Sequence, residues 1–330
     1  MRVVITGGAG FIGRHLAKKL LERGELAGAD NKPHKITELV LVDIVEAAPF
    51  PKPDSRLKTL AGDIADEKFV KSFMTPDTNT VFHLAAVVSS AAEADFDLGM
   101  HVNFDGTRVI LEACRKLAAP PRVVFASSVA VFGGDMPTPL TDQTALTPQT
   151  SYGVQKTIGE LLVNDMSRKG FIDGRALRLP TIVVRPGKPN KAASTFASSI
   201  IREPLAGQEA ICPVEADARM WYLSPRRVVE AFIHAHDLPA SAWGWNRSLT
   251  LPGIDVSVGD MVESLRRVAG DRFVKRIRWE PDPVIKRIVA GWPYRFTPER
   301  ALKMGFKADK DMDEIIAAHI EDELGGKPVD

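Results

Sequence analysis

Tyr152 and Lys156 stand four residues apart in Ser151-Tyr152-Gly153-Val154-Gln155-Lys156. On a helix that spacing projects both side chains from one face, and the apolar Ile158, Leu161 and Leu162 carry the stretch on as a helix. A free phenol ionises near pH ~10, too high for a useful base at neutral pH. A lysine ammonium beside it favours the phenolate. Such a pair could take the proton of an alcohol while hydride leaves the carbon. The same spacing also arises by chance, as a solvated tyrosine with a surface lysine, so the surrounding elements must decide.

The first of those elements is at the N-terminus. Val3-Val4-Ile5 is a continuous apolar run, as expected of a strand buried on both faces of a parallel sheet. It leads into Thr6-Gly7-Gly8-Ala9-Gly10-Phe11-Ile12-Gly13, and Leu16, Leu20 and Leu21 then give an amphipathic helix. Glycines at 7, 10 and 13 let backbone amides of the turn, including those of Phe11 and Ile12, approach a pyrophosphate at the positive end of the helix. Strand, Gly-rich turn, helix and a second strand at residues 39–43 together predict dinucleotide binding. Asp43 ends that second strand, where a carboxylate can accept both adenosine ribose hydroxyls and would repel a 2′-phosphate. NAD is therefore expected, with NADP less favoured.

Further strands are expected at residues 57–60, followed by Gly62-Asp63-Ile64, and at residues 81–86. Asp63 and Ile64 are placed to meet the adenine, and the small end Leu84-Ala85-Ala86 would let the cofactor pass close. His83 stands inside an apolar strand, which favours a buried structural histidine over an acid or base. Ser89 and Ser90 follow in what reads as a loop beyond the strand end, where substrate could be touched. A helix carrying Asn103, Gly106 and Thr107 precedes a fifth strand at residues 123–126, which closes with Ser127-Ser128 on the same sheet edge as the Gly-rich turn. Residues 24–35 read as a surface loop, and residues 175–184 as a strand that Pro180 interrupts or bends. Ser224-Pro225 and Ser257 with Asp260 signal two later helices, and residues 315–324 a closing one.

Strands alternating with helices at this spacing predict an α/β fold, a Rossmann-type doubly wound parallel sheet with a smaller C-terminal cap over its carboxyl edge. The expected division is a nucleotide-binding domain at 1–184 with a return segment near 220–255, and a substrate-binding cap at 185–219 and 256–330. At 330 residues the chain can bury a sizeable core, and 45% hydrophobic with 26% charged residues is ordinary for a globular protein. A net charge of +1 gives no reason to expect nucleic acid or an anionic membrane as partner. No apolar run reaches the length of a membrane span, and none at the start reads as a signal peptide. Cys114 and Cys212 lie far apart without metal-ligand spacing, so no metal is expected, and a cytoplasmic protein is.

Taken together, these residues resemble the extended short-chain dehydrogenase/reductase family, whose fold also hosts nucleotide-sugar epimerases. The resemblance is carried by residues 6–13, Asp43, Gly62-Asp63, His83-Leu84-Ala85-Ala86, Asn103 with Gly106-Thr107, Ser127-Ser128 through Gly133, Tyr152 and Lys156. It implies that Ser128 and Tyr152 are catalytic, Tyr152 as the proton carrier, with Lys156 holding the nicotinamide ribose. Asn103 and Pro180 join the cofactor site by the same resemblance.

Narrower features bear on substrate. Epimerases of this family follow the lysine with an Arg-x-Phe-Asn run, whereas here the segment is Arg178-Leu179-Pro180-Thr181. Dehydratases carry Thr-Asp-Glu near the serine, whereas here it is Ser128-Val129-Ala130. Both departures argue against a nucleotide sugar. Residues 178–194 and 201–209 look closest to a branch that oxidises a four-carbon sugar acid at C2 with NAD. A hydroxy acid needs a cation for its carboxylate, and Arg219 is the first candidate, with Lys188, Asn190 and Lys191 in a cap loop and Ser90 and Thr181 as further contacts. The alternatives are a threonine dehydrogenase, a nucleotide-sugar epimerase or reductase, and, from another class, an NAD-sensing protein without chemistry. A homodimer is possible, with helices flanking the fourth and fifth strands paired across a two-fold axis.

Overall fold

The computed structural model describes residues 1–187 and 193–329. Lys188, Asn190 and Lys191 lie outside the described residues. In chain order the elements are β1 (Arg2–Thr6), α1 (Phe11–Arg23), β2 (Glu25–Ala27), β3 (Pro33–Lys35), β4 (Glu38–Asp43), β5 (Leu57–Ala61), α2 (Glu67–Phe73) and β6 (Thr78–His83). Next come α3 (Ser89–Ala94), α4 (Phe96–Gly99), a π-helical segment (Met100–Gly106), α5 (Thr107–Arg115), β7 (Arg122–Ser128), a 3₁₀ turn (Val129–Val131), β8 (Leu140–Thr141), α6 (Ser151–Arg168), β9 (Asp173–Leu179) and β10 (Thr181–Ile182). The remainder is α7 (Thr195–Leu205), β11 (Ala210–Cys212), β12 (Arg219–Leu223), α8 (Pro225–Asp237), α9 (Ala240–Trp243), β13 (Ser248–Thr250), β14 (Ile254–Ser257), α10 (Val258–Ala269), α11 (Asp271–Val274), β15 (Ile277–Trp279), α12 (Pro283–Ala290), β16 (Phe296–Thr297), α13 (Glu299–Lys303) and α14 (Met312–Glu323).

The chain divides into two compact units. Met1–Val131, Pro148–Arg178 and Val229–Leu249 form the first, and Phe132–Thr147, Leu179–Val228 and Thr250–Asp330 the second. A seven-stranded sheet runs in the order β13-β9-β7-β6-β1-β4-β5. β1 is parallel to β4 and to β6, β4 to β5, and β6 to β7. Val3, Val4, Ile5, Val81 and Phe82 are wholly buried, because helices cover both faces, and each such side chain is worth roughly 1.5–3 kcal/mol of burial. The winding reverses between β1 and β6, which is where such a sheet opens a crevice at its carboxyl ends. This is the doubly wound α/β architecture expected from the sequence.

The second unit holds a three-stranded sheet, β10-β12-β14, and a two-stranded one, β11-β15. Its core gathers Phe196 and Ile200 of α7, Met261 and Leu265 of α10, and Ile315 and Ile316 of α14. Two of its helices start as the cap residues dictate: Ser257 Oγ accepts Asp260 N–H at 3.0 Å and Asp311 Oδ1 accepts Glu314 N–H at 2.9 Å.

Four details differ from the sequence-based expectation. Residues 24–35 are not a plain surface loop but include the β2–β3 hairpin. Arg122 Nη1 donates to Ala27 O at 3.0 Å and Asp237 Oδ1 accepts Ala27 N–H at 2.9 Å, contacts too distant in sequence to be read from it. The return segment splits: β12 pairs with β10 and β14 in the second unit, and only β13 joins the large sheet. The unit boundary accordingly follows residue 178 rather than 184, and residues 132–147 belong to the second unit. Ser89 and Ser90 open α3 rather than sitting in a loop.

Candidate active site

The Gly-rich turn joins β1 to α1 in the first unit. Gly7 has φ +73°, and a Cβ there would stand 2.7 Å from Ala85 N. A Cβ on Gly13 would stand 2.2 Å from Gly7 O, so the turn closes on the first helical turn only because that carbon is missing. Gly10 is the N-cap of α1, with no side-chain cap and no acidic residue in the first turn. The amides of Phe11, Ile12 and Gly13 therefore start a thirteen-residue helix with no acidic side chain in its first turn. Such an end fits a diphosphate.

Three of the expected cofactor contacts converge on this turn. Asp43 Oδ2 accepts Ala9 N–H at 3.0 Å and its Oδ1 accepts Ile44 N–H at 2.8 Å, so the carboxylate clamps the turn to the end of β4. Leu84 N–H donates to Thr6 O at 3.1 Å and Ala85 N–H to Thr6 Oγ1 at 3.3 Å, which locks the ends of β1 and β6 together. Ala86 is the next residue along. Asp63 Oδ1 accepts Ala65 N–H at 2.8 Å, and Oδ2 meets His101 Nε2 at 2.6 Å, an ion pair that sequence reasoning missed. Burial would raise the Asp63 carboxyl, but the His101 contact and the Ala65 N–H together lower it, and the same contact raises the His101 imidazole. Ile64 is buried, against the position a Gly106 Cβ would take.

Ser128 ends β7, and its Oγ accepts Ala130 N–H at 3.1 Å. Tyr152 and Lys156 lie in the first turns of α6, which Thr150 caps by accepting Gly153 N–H at 3.1 Å. The serine and the helix meet through Gly153: a Cβ there would stand 2.2 Å from Ala130 O. Gly159 does the same one side further on, where a Cβ would stand 2.6 Å from the Phe125 ring. These two glycines, unassigned from sequence, set α6 directly on β7.

Lys156 is 3% exposed. Its Nζ lies 4.9 Å from the Phe125 ring centre and 5.6 Å from that of Tyr152, so two π faces stand where a water shell would otherwise be. Burial lowers its pKa to about 7. His83 stacks on the same Phe125 at 5.6 Å and is held neutral, its pKa lowered to about 3 by burial and by the nearby Lys156. It is a structural histidine, as expected.

Asn103 Oδ1 accepts Val87 N–H at 2.9 Å, and Nδ2 donates to Val87 O at 3.2 Å and to Gln155 Oε1 at 2.8 Å. Ser90 is half-buried in the first turn of α3. Pro180, Thr181 and Arg219 lie in the second unit. Thr181 is in β10, paired with Tyr222 of β12. Arg219 Nε donates to Asp255 Oδ1 at 2.6 Å, and Arg295 Nε donates to Asp255 Oδ2 at 3.0 Å. Two guanidiniums thus share one carboxylate, beside a cleft of about 290 Å³ whose lining includes Arg219, Lys286, Glu215, Asp217, Trp292 and Tyr294.

The profile of the NAD dependent epimerase/dehydratase family matches residues 3–244. A D-erythronate dehydrogenase of Cupriavidus necator is 52% identical over 322 residues, 98% of each chain, and one of Haemophilus influenzae is 47% identical over 321 residues, 97% of this chain and 99% of that one. A crystal structure described as a nucleoside-diphosphate-sugar epimerase from Agrobacterium tumefaciens superposes with a TM-score of 0.92 at 44% identity, over 99% of this chain and 95% of that one. With its Gly-rich turn, its Tyr152–Lys156 helix and likeness over nearly its whole length, the chain belongs to the NAD dependent epimerase/dehydratase family.

Proposed function

We propose that the protein is a dehydrogenase that oxidises a small 2-hydroxy sugar acid, D-erythronate foremost, at C2 to the 2-oxo acid. The observation that carries the reading is Lys156, buried against the Tyr152 ring on a helix seated beside Ser128. The two relatives named D-erythronate dehydrogenase supply the substrate class.

NAD, when bound, supplies the hydride acceptor. The α1 amides and Asp43 would hold its diphosphate and adenosine ribose, and Asp43 favours NAD over NADP by repelling a 2′-phosphate. Tyr152 takes the C2 hydroxyl proton, Ser128 hydrogen-bonds the developing carbonyl oxygen, and Lys156 holds the nicotinamide ribose and favours the phenolate. Arg219 takes the substrate carboxylate, its Asp255 partner being shared with Arg295. A cytoplasmic setting fits two free, buried cysteines, Cys114 and Cys212. A homodimer fits the exposed Phe96, Leu98, Val154 and Leu161 of the first unit, and light scattering of the purified protein decides it.

The test is NADH production against four-carbon sugar acids, L-threonine and UDP-sugars, with wild type and Tyr152→Phe. D-erythronate oxidation that Tyr152→Phe abolishes, with NAD binding unchanged, supports the reading. Turnover confined to UDP-sugars or to L-threonine overturns it.

A further inference from the structure

One set of buried polar groups in the first unit that the proposed reaction does not use forms a connected chain. Ala85 N–H donates to Thr6 Oγ1 at 3.3 Å, and Thr6 Oγ1 lies 2.6 Å from His83 Nδ1. His83 Nε2 lies 2.9 Å from Thr107 Oγ1, which donates to Asn103 O at 2.7 Å. Because the Thr107 proton goes to Asn103 O, His83 Nε2 must be the donor to Thr107, and Nδ1 accepts from Thr6. Asn103 passes the chain on through Nδ2 to Gln155 Oε1 at 2.8 Å. Thr6, His83, Thr107, Asn103 and Gln155 are each no more than 2% exposed.

Buried polar side chains are costly unless paired, and here one atom is not. Gln155 Nε2 is buried and has no partner. It lies close to the end of α4, just before the π-helical segment that carries Asn103: a Cβ on Gly99 would stand 2.6 Å from it. The wide π-helical turn at Met100–Gly106 carries Asn103, which bonds both the Val87 backbone and Gln155. Gln155 immediately precedes Lys156 in sequence. An apolar residue of similar size would fill the same space without leaving an unpaired amide, so the glutamine must supply its acceptor oxygen.

We infer that Gln155 is a positioning residue: its bond to Asn103 fixes the rotation of α6 against the segment after β6 and so holds the Lys156 ammonium over the Phe125 ring of β7. This rests on the reading of Tyr152 and Lys156 given above. The residue acts through Lys156 and touches neither substrate nor cofactor.

The test variant is Gln155→Met, which keeps length and apolar volume and removes the acceptor. Its kcat is expected to fall by about tenfold, the scale of a small misplacement of a catalytic group, with the KM for NAD within about twofold. The acid limb of its kcat profile moves to higher pH, because a less closely held ammonium favours the phenolate less. A second readout needs no turnover: NMR titration of lysine labelled at Cε reports Lys156 directly, and its midpoint should shift upward in the variant as the ammonium gains water. An unmoved pH profile and an unmoved Lys156 titration overturn the proposal, whatever happens to thermal stability. If the wild type oxidises no sugar acid, the functional reading fails instead, and the titration still decides the role of Gln155.

Discussion

Glu160 grips Arg178 through three short bonds, from Arg178 Nε at 3.0 and 3.1 Å and from Nη2 at 2.7 Å. Its Oε1 also accepts Ser127 Oγ at 2.5 Å. One side chain, a helical turn beyond Lys156, thus ties α6 to β7, which bears Ser128, and to β9.

Removing one partner of a buried ion pair leaves the other charge uncompensated, which costs about 3–5 kcal/mol. Both partners here are buried, at 3% and 10% side-chain exposure. Glu160→Ala is expected to lower stability on that scale, read from the denaturant midpoint. A change under about 1 kcal/mol would mean that water already compensates Arg178.

Gly153→Ala places a carbon 2.2 Å from Ala130 O, a backbone atom that cannot swing aside. The start of α6 must move off the 3₁₀ turn that follows Ser128. Overpacking of this kind costs about 1–3 kcal/mol, and the larger effect is on turnover, expected to fall by about 10²-fold. Steady-state kinetics beside a melting curve separate the two.

Lys156 keeps a proton in the unfolded chain up to its ordinary pKa but gives it up in the folded protein near pH 7. The unfolded state therefore binds more protons between those values, and stability of the cofactor-free protein rises with pH across that window. Lys156→Met removes the buried ammonium. It should melt higher than wild type below pH 7, by a margin that narrows toward pH 10, while losing activity. A margin that is constant with pH would count against the buried charge as its cause.

His319 on α14 is 5% exposed, and neither ring nitrogen has a partner. Burial lowers its pKa to about 4. Its folded value lies below the ordinary one, so stability is complete above pH 6.5 and declines as pH falls toward 4. His319→Leu removes two unpaired polar atoms and should stabilise the protein by about 1 kcal/mol at pH 7. The gain should grow on acidification, which urea midpoints at pH 7 and pH 5 would show.

Much of the fold was legible because its signals are local. Val3-Val4-Ile5 before a glycine turn can be read as a strand entering a phosphate loop, since each step of that inference spans a few residues. The cap Ser257 acts within one helical turn of itself. The β2–β3 hairpin was not legible, because what anchors it is Arg122 and Asp237, remote in sequence. Nor was the pairing of β12 with β10 and β14, since strand registry between distant segments leaves no mark on either alone.

The same division runs through the site. Residue types and spacing alone determined that a phenol and an ammonium share a helix face, that a glycine turn starts α1, and that an aspartate ends β4. Only the tertiary structure decided that Lys156 is buried between Phe125 and Tyr152, that Asp63 is already paired with His101, that Arg219 shares Asp255 with Arg295, and that Gln155 hangs from Asn103. Spacing along a helix fixes direction. Burial, and the pKa shift and pairing that follow from it, depend on which distant atoms fold against that face.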